Sequence, residues 1–235
     1  MLVVSGVIMV EATTPAGVYL DNVSVYADGR LILSDGFNSR DMGDSGWEAT
    51  SGVELQEKCV YSPPYALNLS QEGRFVSAFH EVQIGEGWKT VNYTAYVTAS
   101  RKQAFEYIEC QCVGRVTHSQ WTVIRLYSGS SQSSIAAGVF FQSLSYRNLP
   151  SGLGLYVENK AIANGTRLVQ EAYYTRFFWN PFNWYKISLS VDRASGEAYM
   201  YLDQALILRL KLTDINLFKS FSKVSIEVWA DATLP

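Results

Sequence analysis

Alternation of apolar and polar residues with a period of two runs along most of the chain, and it limits the fold more than any other feature. Successive side chains of a strand point to opposite faces, so alternation marks a segment with one buried and one open face. The clearest case is residues 184–203. Tyr185, Ile187, Leu189 and Val191 alternate with Trp184, Lys186, Ser188 and Ser190. Beyond a turn at Asp192–Ser195 and Gly196, Ala198, Met200 and Leu202 alternate with Glu197, Tyr199, Tyr201 and Asp203. Holding both apolar sets on one side predicts a hairpin with Ser188 beside Tyr199 and Lys186 beside Tyr201.

The same pattern recurs elsewhere, broken by clusters of Gly, Asp, Asn and Ser. In residues 88–99, Val91, Tyr93, Ala95 and Val97 face inward, with Thr90, Asn92 and Thr94 outward. In residues 65–70, Tyr65, Leu67 and Leu69 oppose Asn68. Further strands are predicted at 104–116, 120–128, 134–142 and 152–157, and one helical turn at 213–221. A series of short strands with little helix predicts an all-β, antiparallel two-sheet β-sandwich.

Fifteen Tyr, eleven Phe and six Trp strengthen the strand bias, and 48% hydrophobic against 17% charged residues is the balance of a folded chain. A net charge of −3 gives no basic footprint for nucleic acid. No stretch reaches the roughly 20 apolar residues of a membrane helix. Residues 2–10 lack the basic flank of a secretion signal and read as a strand. The three cysteines, Cys59, Cys110 and Cys112, do not make a disulfide framework. Cys110 and Cys112, two apart on a strand, are poorly placed to bond each other; Cys59 pairs with one of them or all three are small hydrophobes.

The two ends of the chain resemble each other. Residues 4–15 (VSGVIMVEATTP) and 224–235 (VSIEVWADATLP) align without a gap and share five of twelve positions. Recurrence at a fixed period is the mark of repeat arrays. Residues 1–27 therefore read as the end of a preceding repeat or a swapped closing strand, and residues 28–235 as the body of the sandwich.

Two longer stretches carry a family resemblance. The opening FNSRDMGDSGWEATSG…YALNLS and the hairpin FNWYKISLSVDRASGEAYMYLD resemble concanavalin A-like and laminin-G-like jelly rolls and their related carbohydrate-binding modules. GVYLDNVSVY is similar to the strand that closes such a domain, but here it stands at the front. Residues 17–27 then either fold back into their own sandwich or insert into a neighbour's, since an open sheet edge is a template for strand addition. The resemblance also implies a structural calcium between the opening loop and the closing strand, with Asp35 and Asp21 in the matching places and Asp41 and Asp44 nearby.

Little in the sequence points to catalysis. Of two histidines, His80 shares a face with Val76, Ala78 and Val82 and reads as structural; His118 lies in a polar turn. No nucleophile elbow, zinc-protease helix or phosphate loop occurs. The E-x-D-x-E strand of laminarinase-like enzymes of this fold is missing too. Sugar binding has a better candidate surface, because pyranose C–H faces pack on flat aromatic rings. By parity Trp184, Tyr199 and Tyr201 share the outer hairpin face with Lys186, and Trp179 and Phe182 flank a Pro turn. Sequons stand at Asn22, Asn68, Asn92 and Asn164, the first three on the polar side of their strands. The expectation is a non-catalytic, extracellular or cell-surface module that binds glycan or neighbouring copies. A filament or surface-layer subunit built by strand exchange, and a polysaccharide-active enzyme without the usual motif, are the alternatives.

Overall fold

The computed structural model describes residues 18–69, 75–99, 118–143, 151–159, 167–177, 179–180 and 182–230. They form two antiparallel sheets packed face to face, the sandwich that alternation and resemblance both implied. The front sheet holds β1 (Val18–Ala27), β2 (Arg30–Asp35), β4 (Val53–Gln56), β5 (Ala66–Leu69), β7 (Thr90–Ala99), β12 (Tyr185–Asp192), β13 (Glu197–Leu202) and β14 (Ala205–Lys211). The back sheet holds β3 (Trp47–Ala49), β6 (Phe75–Ile84), β8 (His118–Ser128), β9 (Ser133–Ser143), β10 (Ser151–Asn159), β11 (Arg167–Phe177) and β15 (Phe221–Ala230). The front order is β14-β13-β12-β7-β1-β5-β4, with β2 also on β1; the back order is β11-β10-β9-β8-β15-β6-β3.

The core follows from the period-two pattern. Val91, Tyr93, Ala95 and Val97 of β7, Ile187, Leu189 and Val191 of β12, and Val224, Ile226 and Val228 of β15 are fully buried between the sheets. Tyr93 crosses the core to donate its hydroxyl to the Ser225 carbonyl of the opposite sheet at 3.1 Å, which satisfies a polar atom that burial would otherwise penalise. Helical structure among the described residues is two 3-10 turns, Gly43–Ser45 and Ile215–Phe218, the second inside the predicted helical turn. No described helix is long and apolar enough to cross a membrane.

β1 lies between β7 and β5 in the chain's own sheet, so in the single chain residues 18–27 pair within their own sandwich. The repeat-like segment 4–15, the last five residues (231–235) of its counterpart 224–235, and the predicted strand 104–116 lie outside the described residues. Two expectations are corrected. Ser188 pairs with Tyr201 and Ser190 with Tyr199, while Lys186 exchanges hydrogen bonds with Asp203. The register is two residues out because Asp192 pairs with Glu197 across a longer turn, in which Asp192 accepts the Ser195 N–H at 2.6 Å. A slip of two leaves every side chain on its predicted face. The other correction is Asn68, which is buried on the supposedly open side of β5.

Candidate functional site

The outer face of the front sheet brings four of the six predicted aromatic-face residues together. Trp184 enters β12 and meets the Tyr61 ring edge-on, with centroids 5.8 Å apart. Tyr61, in the loop between β4 and β5, stacks on Tyr96 of β7 at 3.9 Å and 20° and stays 45% exposed. The Lys186 ammonium sits 5.9 Å from the centre of the Tyr96 ring. Hydrogen bonding to Tyr96 and partial desolvation push the Tyr61 hydroxyl above its usual value. On β13 the Tyr199 and Tyr201 rings lie 6.5 Å apart, and the Tyr199 hydroxyl donates to Glu197 at 2.6 Å. The remaining two residues part company. Trp179 packs against the core, and Phe182 is 47% exposed in the turn, its N–H donating to the Ala99 carbonyl at 3.0 Å.

Sequence reasoning missed Tyr61 and Tyr96. Tyr96 was legible, since it alternates with Val97 and Ala95 and shares a face with Thr94 and Asn92. Tyr61 was not, because no periodicity places a loop residue.

Below the aromatic wall lies a floor of short polar side chains. Tyr201, Ser188, Thr94, Ser24 and Ser34 form one row across β13, β12, β7, β1 and β2. The next row is Tyr199, Ser190, Asn92, Tyr26 and Leu31. Ser188, Ser190, Thr94, Asn92 and Ser24 are all partly open to solvent. The Ser24 and Thr94 hydroxyls lie 2.6 Å apart. At the usual strand spacing a five-strand row spans roughly 19 Å. The result is a floor of short polar side chains with Trp184, Tyr61 and Tyr96 along one side and Tyr199 and Tyr26 in its second row.

The outer face of the back sheet carries a buried polar network. Buried Arg125 donates through Nε and Nη2 to both oxygens of Glu227 at 2.9 Å, and through Nη1 to Ser134 at 3.0 Å and to Glu158. Tyr127 and Ser225 also donate to Glu227, at 2.6 and 2.7 Å. Two carboxylates that share one guanidinium and several hydroxyl donors are held as acceptors, the satisfied form of a buried ion cluster. Val123, Ala136 and Tyr156 make a second small buried cluster on this face. Burial pushes the Tyr127 and Tyr156 hydroxyls well above their usual value, and that of Tyr173 up to about 12.

The residues matched to calcium do not fit a cation. Asp21 is 0% exposed and accepts the N–H groups of Asn22 (2.6 Å), Tyr61 (3.0 Å) and Ser62 (2.8 Å). Desolvation raises its carboxyl above the usual range against the opposing effect of those bonds. Asp35 accepts the Phe37 N–H at 2.6 Å and the Trp47 indole N–H at 2.9 Å, which ties the opening loop to β3. Asp41 and Asp44 accept from Gly43 and Ser39. Among the described residues no three His, Cys, Asp or Glu side chains cluster to hold a metal.

Asn22 and Asn92 are part-exposed on the front face. Asn68 is 3% exposed and donates its amide to Glu54 at 2.9 Å, so its nitrogen is not open to a glycan as the sequence had suggested. Asn164 lies outside the described residues. His80 is structural, as expected, with ring nitrogens 2.5 Å from the Glu81 carbonyl and 3.0 Å from that of Ser45. Cys59 is buried, which pushes its thiol up to about 11; Cys110 and Cys112 lie outside the described residues.

No protein-family model matches the chain, and no curated protein matches it. Among solved structures it is similar to the CBM2 module of the evolved Dit of Lactobacillus casei BL23 phage J-1, with a TM-score of 0.48 and 10% identity over 92% of this chain and 89% of that one. A family 16 glycoside hydrolase endo-glucanase from Bacteroides ovatus gives a TM-score of 0.42 at 9% identity, covering 85% of this chain and 86% of its own. The carbohydrate-binding module CBM66 from Bacillus subtilis gives 0.32 at 7%, covering 80% and 93%.

Proposed function

We propose that this chain is a non-catalytic glycan-binding module that takes an extended oligosaccharide across the strands of the front sheet. The observation that carries the reading is the aromatic wall of Trp184, Tyr61 and Tyr96 beside the hydroxyl row of Ser188, Thr94 and Ser24. Rings that present π faces and edges pack on pyranose C–H surfaces, while short hydroxyls exchange hydrogen bonds with sugar hydroxyls. The floor spans enough strands for about three sugar rings. Work outside the cell, as one unit of a repeat array, belongs to the same proposal; the sequons and the likeness of the chain ends support it.

The test is calorimetry against a panel of soluble oligosaccharides, followed by variants. Trp184→Ala and Tyr96→Ala are each expected to weaken binding about tenfold. Ser188→Leu, which fills the floor, is expected to abolish it. Binding that survives all three would remove this face as the site, and silence across the whole panel would remove the function.

A further inference from the structure

We infer that Asp21 is the positioning residue that sets the Tyr61 ring on the front sheet, and that it does so through hydrogen bonds in the place where the resemblance expects a calcium ion. The inference concerns the loop's anchor and holds whatever the face binds. β1 is interrupted between Asp21 and Ser24, where its register with β7 shifts and Asn22 takes a φ of 48°. Alternation with the inward Val18 and Leu20 puts the Asp21 carboxylate on the outer face, paired with Tyr96, and the irregularity just after it lets Val23 and Val25 return to the core. Its Oδ2 accepts the consecutive N–H groups of Tyr61 and Ser62 at 3.0 and 2.8 Å, and the Ser62 hydroxyl lies 3.4 Å from both oxygens. Oδ1 takes the Asn22 N–H at 2.6 Å.

Two prolines, Pro63 and Pro64, follow at once and have no N–H to give. The amides of Tyr61 and Ser62 are therefore the last backbone donors before the proline pair, and both go to one carboxylate. With its backbone fixed over β1, Tyr61 lays its ring on Tyr96 and its edge toward Trp184. A calcium ion requires about six to eight oxygen lone pairs. Three N–H groups already take most of this carboxylate's lone pairs, and among the described residues no cluster of three His, Cys, Asp or Glu side chains supplies the rest of a calcium shell.

The test has two parts, neither of which uses a glycan. In the wild-type protein, amide hydrogen exchange at Tyr61 and Ser62 is expected to be slow in EDTA and unchanged by added calcium, with the same thermal midpoint in both. Fast exchange that slows on adding calcium, or a midpoint that rises with calcium, would overturn the inference. In Asp21→Asn and Asp21→Ala, the near-ultraviolet circular dichroism of the Tyr61–Tyr96 stack and the Trp184 emission are expected to change while the far-ultraviolet spectrum stays. Wild-type aromatic spectra in a folded Asp21→Ala protein would show that the carboxylate does not position the ring.

Discussion

Two turn carboxylates give the chain a definite response to acid. Asp28 accepts the Lys89 and Thr90 N–H groups at 2.7 and 2.8 Å, and Asp192 accepts that of Ser195 at 2.6 Å. Hydrogen bonds from the Thr90 and Lys89 amides hold Asp28 below the ordinary value of 3.8, and those from Ser195 do the same for Asp192. A carboxyl depressed by folding adds stability that is complete above its unfolded value and lost as pH falls through the folded one. Asp28→Asn and Asp192→Asn are thus expected to lower the unfolding midpoint near neutrality and to converge with the wild type in acid, as a pH series of thermal melts would show. In the core, Tyr93→Phe removes the hydroxyl that spans the sheets and should cost about 1 kcal/mol in denaturant unfolding. Residues of this kind were only half legible in the sequence. Parity put Tyr93 inside and Trp184 outside, but it is blind to partners. It left Asn68 open to a glycan, and the resemblance matched Asp21 to a metal. Asn68 instead meets Glu54, and Asp21 meets the amides of Tyr61 and Ser62.

At the level of elements, alternation is strong evidence for faces and weak evidence for register. β12 and β13 show both. Each residue keeps its predicted side, yet the pairing moves by two because the turn after Asp192 is longer than a tight hairpin would make it. β5 fails in a different way. Its pattern predicts one open face, but Tyr19 on the neighbouring β1 is fully buried on that same outer side, and Asn68 beside it is closed off with it. β10 shows how glycine spacing serves packing. The Tyr156 side chain lies directly over Gly154, two positions back on the same face, so a methyl group at 154 would collide with the tyrosine ring. Gly154→Ala is expected to cost about 1–3 kcal/mol by forcing that ring out of its cluster with Val123 and Ala136. At Gly29, where φ is 78° and a Cβ would meet nothing within 4 Å, alanine should cost only the backbone strain, about 1 kcal/mol. Urea titrations of the two variants would separate the causes.

For the molecule as a whole, the two outer faces differ in kind. The back face carries a buried ion network around Arg125, and the front face is closed around Tyr19, Asp21 and Asn68 but part-open over the hydroxyl rows of β12, β7 and β1. With β1 filling its own sheet, light scattering across a dilution series is expected to return a single, concentration-independent monomer mass; a ladder of higher masses would mean that the strand is exchanged between chains. The front floor has one more consequence. Thr94 and Ser24, whose hydroxyls touch at its centre, are the third residues of the Asn92 and Asn22 sequons. The same few square ångströms that would greet a sugar from outside are thus addressed to the enzymes that attach one. A secretory host that modified Asn92 would deliver a protein whose hydroxyl rows are already covered by its own carbohydrate, and a bacterial host would deliver it bare. Matched preparations from the two, weighed by mass spectrometry and titrated side by side, should differ in glycan affinity in proportion to the fraction modified.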